Sequence, residues 1–233
     1  MILEQANTSQ IQIEAKSKGA EAYRDPSWWY DIRGFFILTG TYQVMLWNHL
    51  NFFSKNLGNR HLEAAIGSGT FLWLTRLNKK IKTDKMHEEI ISINYSERIL
   101  NRKKKLFKNK KDIKLIQADL SKINYPDNYF DSVNIAHSFH AFPDPDSVLK
   151  ELHRVMKPES KLFVDILLTP RGSKLRKALA NRVNKFCFKK GILARTCDLE
   201  KTKQQFEVNH FNIVDSYVKG NTYHVIAWKS QSK

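Results

Sequence analysis

A doubly wound, Rossmann-like α/β sheet of seven strands, mostly parallel with an antiparallel C-terminal hairpin, is the fold this sequence predicts. Three observations carry it. Short apolar and β-branched runs alternate with longer amphipathic ones, the pattern of parallel strands joined by right-handed crossover helices. Lys161–Leu168 is nearly all apolar, as a central strand buried on both faces should be. Two closing β-type runs, Phe211–Lys219 and Thr222–Trp228, flank Gly220-Asn221, a two-residue hairpin turn.

The elements follow in order. Residues 1–22 are polar and aperiodic and read as a loosely held arm, followed by the aromatic cluster Trp28-Trp29-Tyr30. From Thr41 to Leu57 the apolar residues Tyr42, Met45, Leu46, Leu50, Phe53 and Leu57 recur at helical spacing, and Gly58 stands where a C-cap would. His61–Leu72 reads as a strand, a turn with two glycines one residue apart, and the opening of a helix that runs to Leu77. Glu89–Asn94 is a second strand, and Ser96 caps the helix after it. Ile113–Asp119 is a third strand, Tyr125–Asn128 a turn and Phe130–Ala136 a fourth strand. Asp144 is an N-cap with Pro145 in the first turn, Val148, Leu149, Leu152, Val155 and Met156 form the buried stripe, and Pro158 ends that helix. Ser173–Phe188 is a helix with Leu175, Ala178, Leu179, Val183 and Phe186 on one side and cations on the rest. The alternation is β-α-β-α-β-α-β-α-β-α-β-β, within an N-terminal arm and cap helix at 1–58 and one folding unit at 59–233.

Composition bounds the function. The chain of 233 residues, 42% hydrophobic and 12% aromatic, suits one globular unit and excludes disorder. Two cysteines, Cys187 and Cys197, make neither a disulfide framework nor a four-cysteine zinc site, which favours a reducing compartment. The N-terminus lacks the pattern of a secretion signal, and the apolar runs are too short to cross a bilayer, so a cytoplasmic protein is expected. The net charge of +16 favours an anionic partner: a membrane surface, nucleic acid or an acidic protein. A solvated basic surface is the bland alternative.

The glycine turn alone marks a nucleotide-type site, because a tight turn and a helix N-terminus present free N–H groups to a ligand. A dinucleotide fingerprint would need a third glycine where Leu72 stands. The downstream blocks decide between the readings. Ile116–Leu120, Tyr125–Asp131, His140–Pro145 and Leu149–Pro158 match, in order and spacing, the class I S-adenosylmethionine-dependent methyltransferases. The chain resembles that family over about residues 60–168, and within it the quinone-biosynthesis and related small-molecule type.

The resemblance implies S-adenosyl-L-methionine as cofactor and a set of roles. Glu63 and the turn Ala65, Gly67, Ser68 and Gly69 would hold its methionine part. Asn94 would meet the ribose hydroxyls, Tyr95 would cover the adenine, and Asp119 with the N–H of Leu120 would read the adenine edge. Ala136 and His137 would border the methyl group, and Tyr30 with Asp31 would close over the cofactor. The sequence departs from the family at Ala65, where a glycine is usual, and at Asn94, where an acid is usual.

Methyl transfer depends mainly on aligning the acceptor with a sulfonium carbon and excluding water. A base is needed only where the acceptor keeps its proton, and His137 and His140 are the candidate catalytic residues, with loop histidines bonded to backbone as the plain alternative. The eight histidines show no metal-ligand spacing, so no metal is expected. The aromatic N-terminal segment predicts a small hydrophobic or aromatic acceptor. The basic helix predicts peripheral contact with anionic lipid. An RNA methyltransferase or RNA binder, and a cofactor-binding regulatory protein without catalysis, are the two alternatives.

Overall fold

The computed structural model describes residues 34, 36–65, 69–77, 89–94, 100, 101, 104, 106–189, 193 and 195–230. Its centre is one seven-stranded sheet in the order β3-β2-β1-β4-β5-β7-β6. The strands are β1 (Arg60–Ala64), β2 (Glu89–Asn94), β3 (Ile113–Gln117), β4 (Phe130–Ile135), β5 (Met156–Leu167), β6 (Phe211–Lys219) and β7 (Thr222–Lys229). The first five run parallel, and β7 is antiparallel to both its neighbours, inserted between β5 and β6. Around the sheet stand α1 (Leu46–Phe53), α2 (Thr70–Leu77), α3 (Pro145–Val155), α4 (Lys174–Lys189) and α5 (Leu199–Val208).

Period two makes the faces of this sheet chemically different. One face carries Leu62, Ala64, Ile91, Ile93, Val133, Ile135, Leu162 and Val164, packed against Val148, Leu149, Leu152 and Val155 of α3 and Phe206 of α5. The opposite face carries His61, Glu63, Ser92, Ser132, Asn134, Asp165 and His224, every one buried. Phe52 and Phe53 of α1 cover part of it, packed with Phe163. The oily face supplies the hydrophobic driving force; the polar face holds the candidate site.

α3 starts as the residues require. Asp144 is extended and accepts from the Ser147 N–H at 3.1 Å, with Pro145 at the first helical position. The helix ends at Val155, however, and β5 begins at Met156, so Pro158 lies in the strand and not at the helix end. β3 and β4 are joined by the turn residues between them, with no helix there. The helix expected from Thr41 to Leu57 is broken. Leu38–Tyr42 forms a π-helical turn, Gln43 is left-handed at φ 54, and α1 starts only after the extended Met45. Gly58 is no cap; a Cβ there would meet Ser132 Oγ at 2.9 Å, and its N–H donates to that same oxygen at 2.8 Å.

Two further expectations give way. α4 buries Ala180, Asn184 and Cys187, while Leu175 (81% exposed), Leu179 (53%) and Phe186 (54%) face outward. α5 had no counterpart in the sequence reading, although Asp198 caps it, accepting from the Glu200 and Lys201 N–H groups at 3.1 Å. The hairpin matches its prediction, with Gly220 at φ 58. Its turn docks on the N-terminal segment: Asn221 donates from its backbone to Tyr42 O at 2.9 Å and from Nδ2 to Thr41 O at 2.8 Å.

Candidate active site

Strand register sets the first level of the site. Ala64 pairs with Ile93 on one side and Ile135 on the other, so Ala65, Asn94 and Ala136 stand side by side at the carboxyl ends of β1, β2 and β4. Asn94 pairs onward with Gln117 on β3. Ligands of open α/β sheets bind along this edge. Ala65 takes the left-handed φ of 56, the conformation a glycine would adopt freely, and its carbonyl accepts from Ser138 Oγ at 2.9 Å. Gly69 follows at φ 81 and its carbonyl accepts the Trp73 N–H at 3.0 Å as α2 begins.

A buried polar chain lies beneath Glu63. Asn56 Nδ2 donates to Asn134 Oδ1 at 3.0 Å, and Asn134 Nδ2 donates to Glu63 Oε2 at 3.4 Å. His61 Nε2 lies 3.1 Å from the same Glu63 oxygen, and His61 Nδ1 lies 2.7 Å from Ser132 Oγ. These partners fix the carboxylate in one orientation at the sheet edge. Asp119 is exposed, and its Oδ1 accepts from the Ser121 N–H at 2.9 Å and Ser121 Oγ at 2.7 Å, while Leu120 is buried beside it.

The donor set suits S-adenosyl-L-methionine. Glu63 offers a carboxylate for an ammonium, Asn94 an amide that both donates and accepts, and Asp119 an exposed acceptor on the adjoining strand end. Tyr30, Gly67, Ser68 and Tyr95, the other expected cofactor contacts, lie outside the described residues.

At the β4–β5 end the site becomes aromatic and basic. Phe71 and Ala136 pack with Phe52, Phe53 and Phe163. His137, at φ 52, donates its backbone N–H to Asp165 Oδ1 at 2.5 Å, and its Nε2 lies 2.9 Å from Asp165 Oδ2. His49 Nδ1 reaches the same Oδ2 at 2.9 Å. The Phe71 ring meets His137 edge-on at 4.8 Å. His140 sits on a short 3-10 turn, buried, with Nδ1 2.9 Å from the hydroxyl of the fully buried Tyr42.

Burial opposes ionisation of Asp165, but the positive charge and close approach of His137 and His49 outweigh it and hold the carboxyl far below its usual range. Burial pushes His49 down and His224 down to about 4, while Tyr42 is raised, again chiefly by burial.

The structure thus brings Ala65, Asn94, Ala136 and His137 together with Glu63 behind them, and it turns His140 toward Tyr42. His49, Asp165, Tyr42 and Asn134 escaped the sequence reading. Asp165 had a visible signal, a lone acid in the apolar run Lys161–Leu168. A buried carboxylate there demands partners.

Comparison with known proteins finds methyltransferases. A family model described as a methyltransferase domain matches residues 63–164. The ubiquinone/menaquinone biosynthesis C-methyltransferase UbiE of Chromobacterium violaceum is 30% identical over 171 residues, covering 66% of this chain and 61% of that protein. The enzyme of the same description from Pseudomonas paraeruginosa is 29% identical over 168 residues, covering 72% of this chain and 64% of its own. The chain therefore spans just over three fifths of these relatives' length. Among solved structures, an S-adenosylmethionine-dependent methyltransferase from Aquifex aeolicus superposes with a TM-score of 0.62 at 19% identity, covering 88% of this chain and 98% of that one. The [4+2]-cyclase SpnF superposes at 0.60 and 15% identity over 80% of each chain, so the fold alone does not fix the reaction. Glu63, the aligned strand ends and the blocks that run to Pro158 fall in the stretch matched as a methyltransferase domain, and over it the chain is similar to methyltransferases that include the ubiquinone/menaquinone biosynthesis C-methyltransferases.

Proposed function

We propose that this protein transfers a methyl group from S-adenosyl-L-methionine to a small aromatic acceptor, a quinone-like ring, which it meets at an anionic membrane surface. The observation that carries the first half is the level row Ala65, Asn94 and Ala136 at the strand ends, with Glu63 held behind it. The bound cofactor supplies an electrophilic methyl carbon.

This chain's residues do the aligning. Glu63 takes the ammonium, Asn94 the ribose hydroxyls, and Asp119 with the Leu120 N–H the adenine edge. Ala136, a small side chain packed against the cluster of Phe52, Phe53 and Phe163, leaves room at the methyl end. The buried Phe53 and Phe163 exclude water, and the partly exposed Phe71 offers a flat acceptor a face to stack on. His137 borders the acceptor, and His140 acts through Tyr42 as a positioning residue. Proximity and orientation of this kind account for much of the acceleration of a displacement reaction.

The membrane half rests on α4. Its sixteen residues carry Lys174, Arg176, Lys177, Arg182, Lys185 and Lys189 and no acid, and Leu175, Leu179 and Phe186 project among them into solvent. Exposed apolar residues amid cations suit the headgroup region of an anionic bilayer. Among the described residues no helix is long and apolar enough to cross one. The C-methylation in quinone biosynthesis ascribed to the relatives supports a lipid-borne ring as the acceptor.

Calorimetry with S-adenosylhomocysteine tests the enzyme. Micromolar binding is expected, and its absence leaves the regulatory scaffold as the better reading. Co-sedimentation with vesicles containing anionic lipid tests the membrane. Binding at low salt should weaken on substituting Leu175→Ser with Phe186→Ser, whereas a wild-type protein that stays in the supernatant retires this half. Methyl incorporation into RNA would move the acceptor to nucleic acid.

A further inference from the structure

The β4–β5 end of the site gathers more nitrogen and carboxylate than methyl transfer uses. His49 comes from α1, His137 from the turn after β4, and Asp165 from β5. His49 Nδ1 and His137 Nε2 each lie 2.9 Å from Asp165 Oδ2, and the three atoms are within 4.8 Å of one another. Those distances would suit hydrogen bonds. Yet neither contact is aligned as one, and all three atoms stay without a hydrogen-bond partner although they are buried. An imidazole nitrogen carries its lone pair along the in-plane direction that a proton would otherwise occupy. A ring nitrogen without its proton offers that lone pair to a cation. Leaving such groups buried and unsatisfied is costly, a penalty that a bound cation removes.

We propose that His49 Nδ1, His137 Nε2 and Asp165 Oδ2 bind one divalent first-row transition metal ion of the zinc type. Tetrahedral metal bonds of about 2.0–2.2 Å place neighbouring ligand atoms roughly 3.3–3.6 Å apart, so the two nitrogens, now 2.9 Å from the carboxylate oxygen, complete the site by moving outward by roughly half an ångström. Two imidazoles and one carboxylate suit Zn2+, Co2+ or Fe2+ better than Mg2+ or Ca2+, which prefer an all-oxygen shell. Three protein ligands leave a coordination position open, as in catalytic and unlike structural zinc sites. His137 is the one member with exposed side-chain surface, 19%, and marks the side from which water or an organic hydroxyl completes the shell. His224, wholly buried with neither ring nitrogen bonded, adds a neutral imidazole whose ring is 5.2 Å from that of His49. The ligands come from three distant segments, which is why the spacing of the histidines showed no metal motif.

This site goes beyond methyl transfer and is read without it. The untagged full chain, stripped with chelator and dialysed, is titrated with Co2+. One equivalent should bind with a visible d–d absorption band, Zn2+ should displace it, and Zn2+ should raise the melting temperature. His137→Gln and Asp165→Asn should each weaken binding by at least about tenfold with the circular dichroism spectrum unchanged. His153→Gln, at a separate pair whose rings lie 5.9 Å apart beside His210, should bind as wild type does. No band in the wild type overturns the proposal, as does a band that survives His137→Gln or disappears with His153→Gln. Should Asp165→Asn fail to fold, the partly exposed His137→Gln decides alone.

Discussion

At Ala65 the chain holds a left-handed conformation, φ 56, with a residue that carries a Cβ. That conformation costs an L-residue roughly 1–2 kcal/mol that glycine avoids. Ala65→Gly is therefore expected to stabilise the protein by up to about 1 kcal/mol, since glycine's extra unfolded-state entropy offsets part of the relief. Thermal melting checks it, and an unchanged or lower midpoint would mean that the turn is not strained. Asn94 makes a different trade. At the proposed ribose contact an amide lacks the charge-assisted hydrogen bonds of an acid, a difference on the order of 1 kcal/mol. Asn94→Asp should tighten S-adenosylhomocysteine several-fold in calorimetry, and weaker binding would argue against Asn94 as the ribose contact.

Among the elements, α3 shows what the most family-like block does. Arg154 donates to both Glu151 oxygens, from Nε at 2.9 Å and from a terminal nitrogen at 2.7 Å. Its guanidinium also donates to the carbonyls of Tyr125 at 2.9 Å and Ile123 at 3.0 Å, and to Asp127 Oδ1 at 2.6 Å. Glu151 in turn accepts the Ile123 N–H at 2.6 Å. The pair clamps the connection from β3 to β4, the segment that carries Asp119 and Leu120. Hydrogen bonding from Arg154 holds the Glu151 carboxyl below its ordinary 4.5. A depressed folded-state pKa adds stability above the unfolded value and loses it as pH falls through the folded one. Arg154→Met should cost about 2 kcal/mol at neutral pH and flatten the decline of stability below about pH 5, which chemical denaturation across that range measures. The hairpin turn is a second clamp. A Cβ on Gly220 would lie 2.4 Å from Gln43 O and 2.7 Å from Tyr42 O, and φ 58 strains it further. Gly220→Ala should lower the melting midpoint by several degrees and loosen Tyr42, which limited proteolysis near residue 43 would detect.

For the whole molecule, one sheet with two unlike faces explains why fold and function were unequally legible. Period-two and period-3.6 patterns with their caps are local, so Glu89–Asn94, the Asp144 cap of α3 and the Gly220-Asn221 hairpin could be read straight from the chain. Local too was the family-like series of blocks from Ile116 to Pro158, and with it the strand-end positions Asn94, Asp119 and Ala136. Orientation about an axis was not local. α4 presents Leu175, Leu179 and Phe186 outward because its contact with the Leu38–Tyr42 turn buries Ala180 and Cys187 instead, a choice made by neighbours and not by composition. The His49–His137–Asp165 cluster shows the same division. Periodicity, turns and motif spacing made the seven strands and their carboxyl ends legible, but not every helix between them. Only the tertiary structure decided that a buried acid on β5, a helix before β1 and a turn after β4 would converge, because insertion of β7 beside β5 and packing of α1 over the polar face bring together groups that no sequence interval relates.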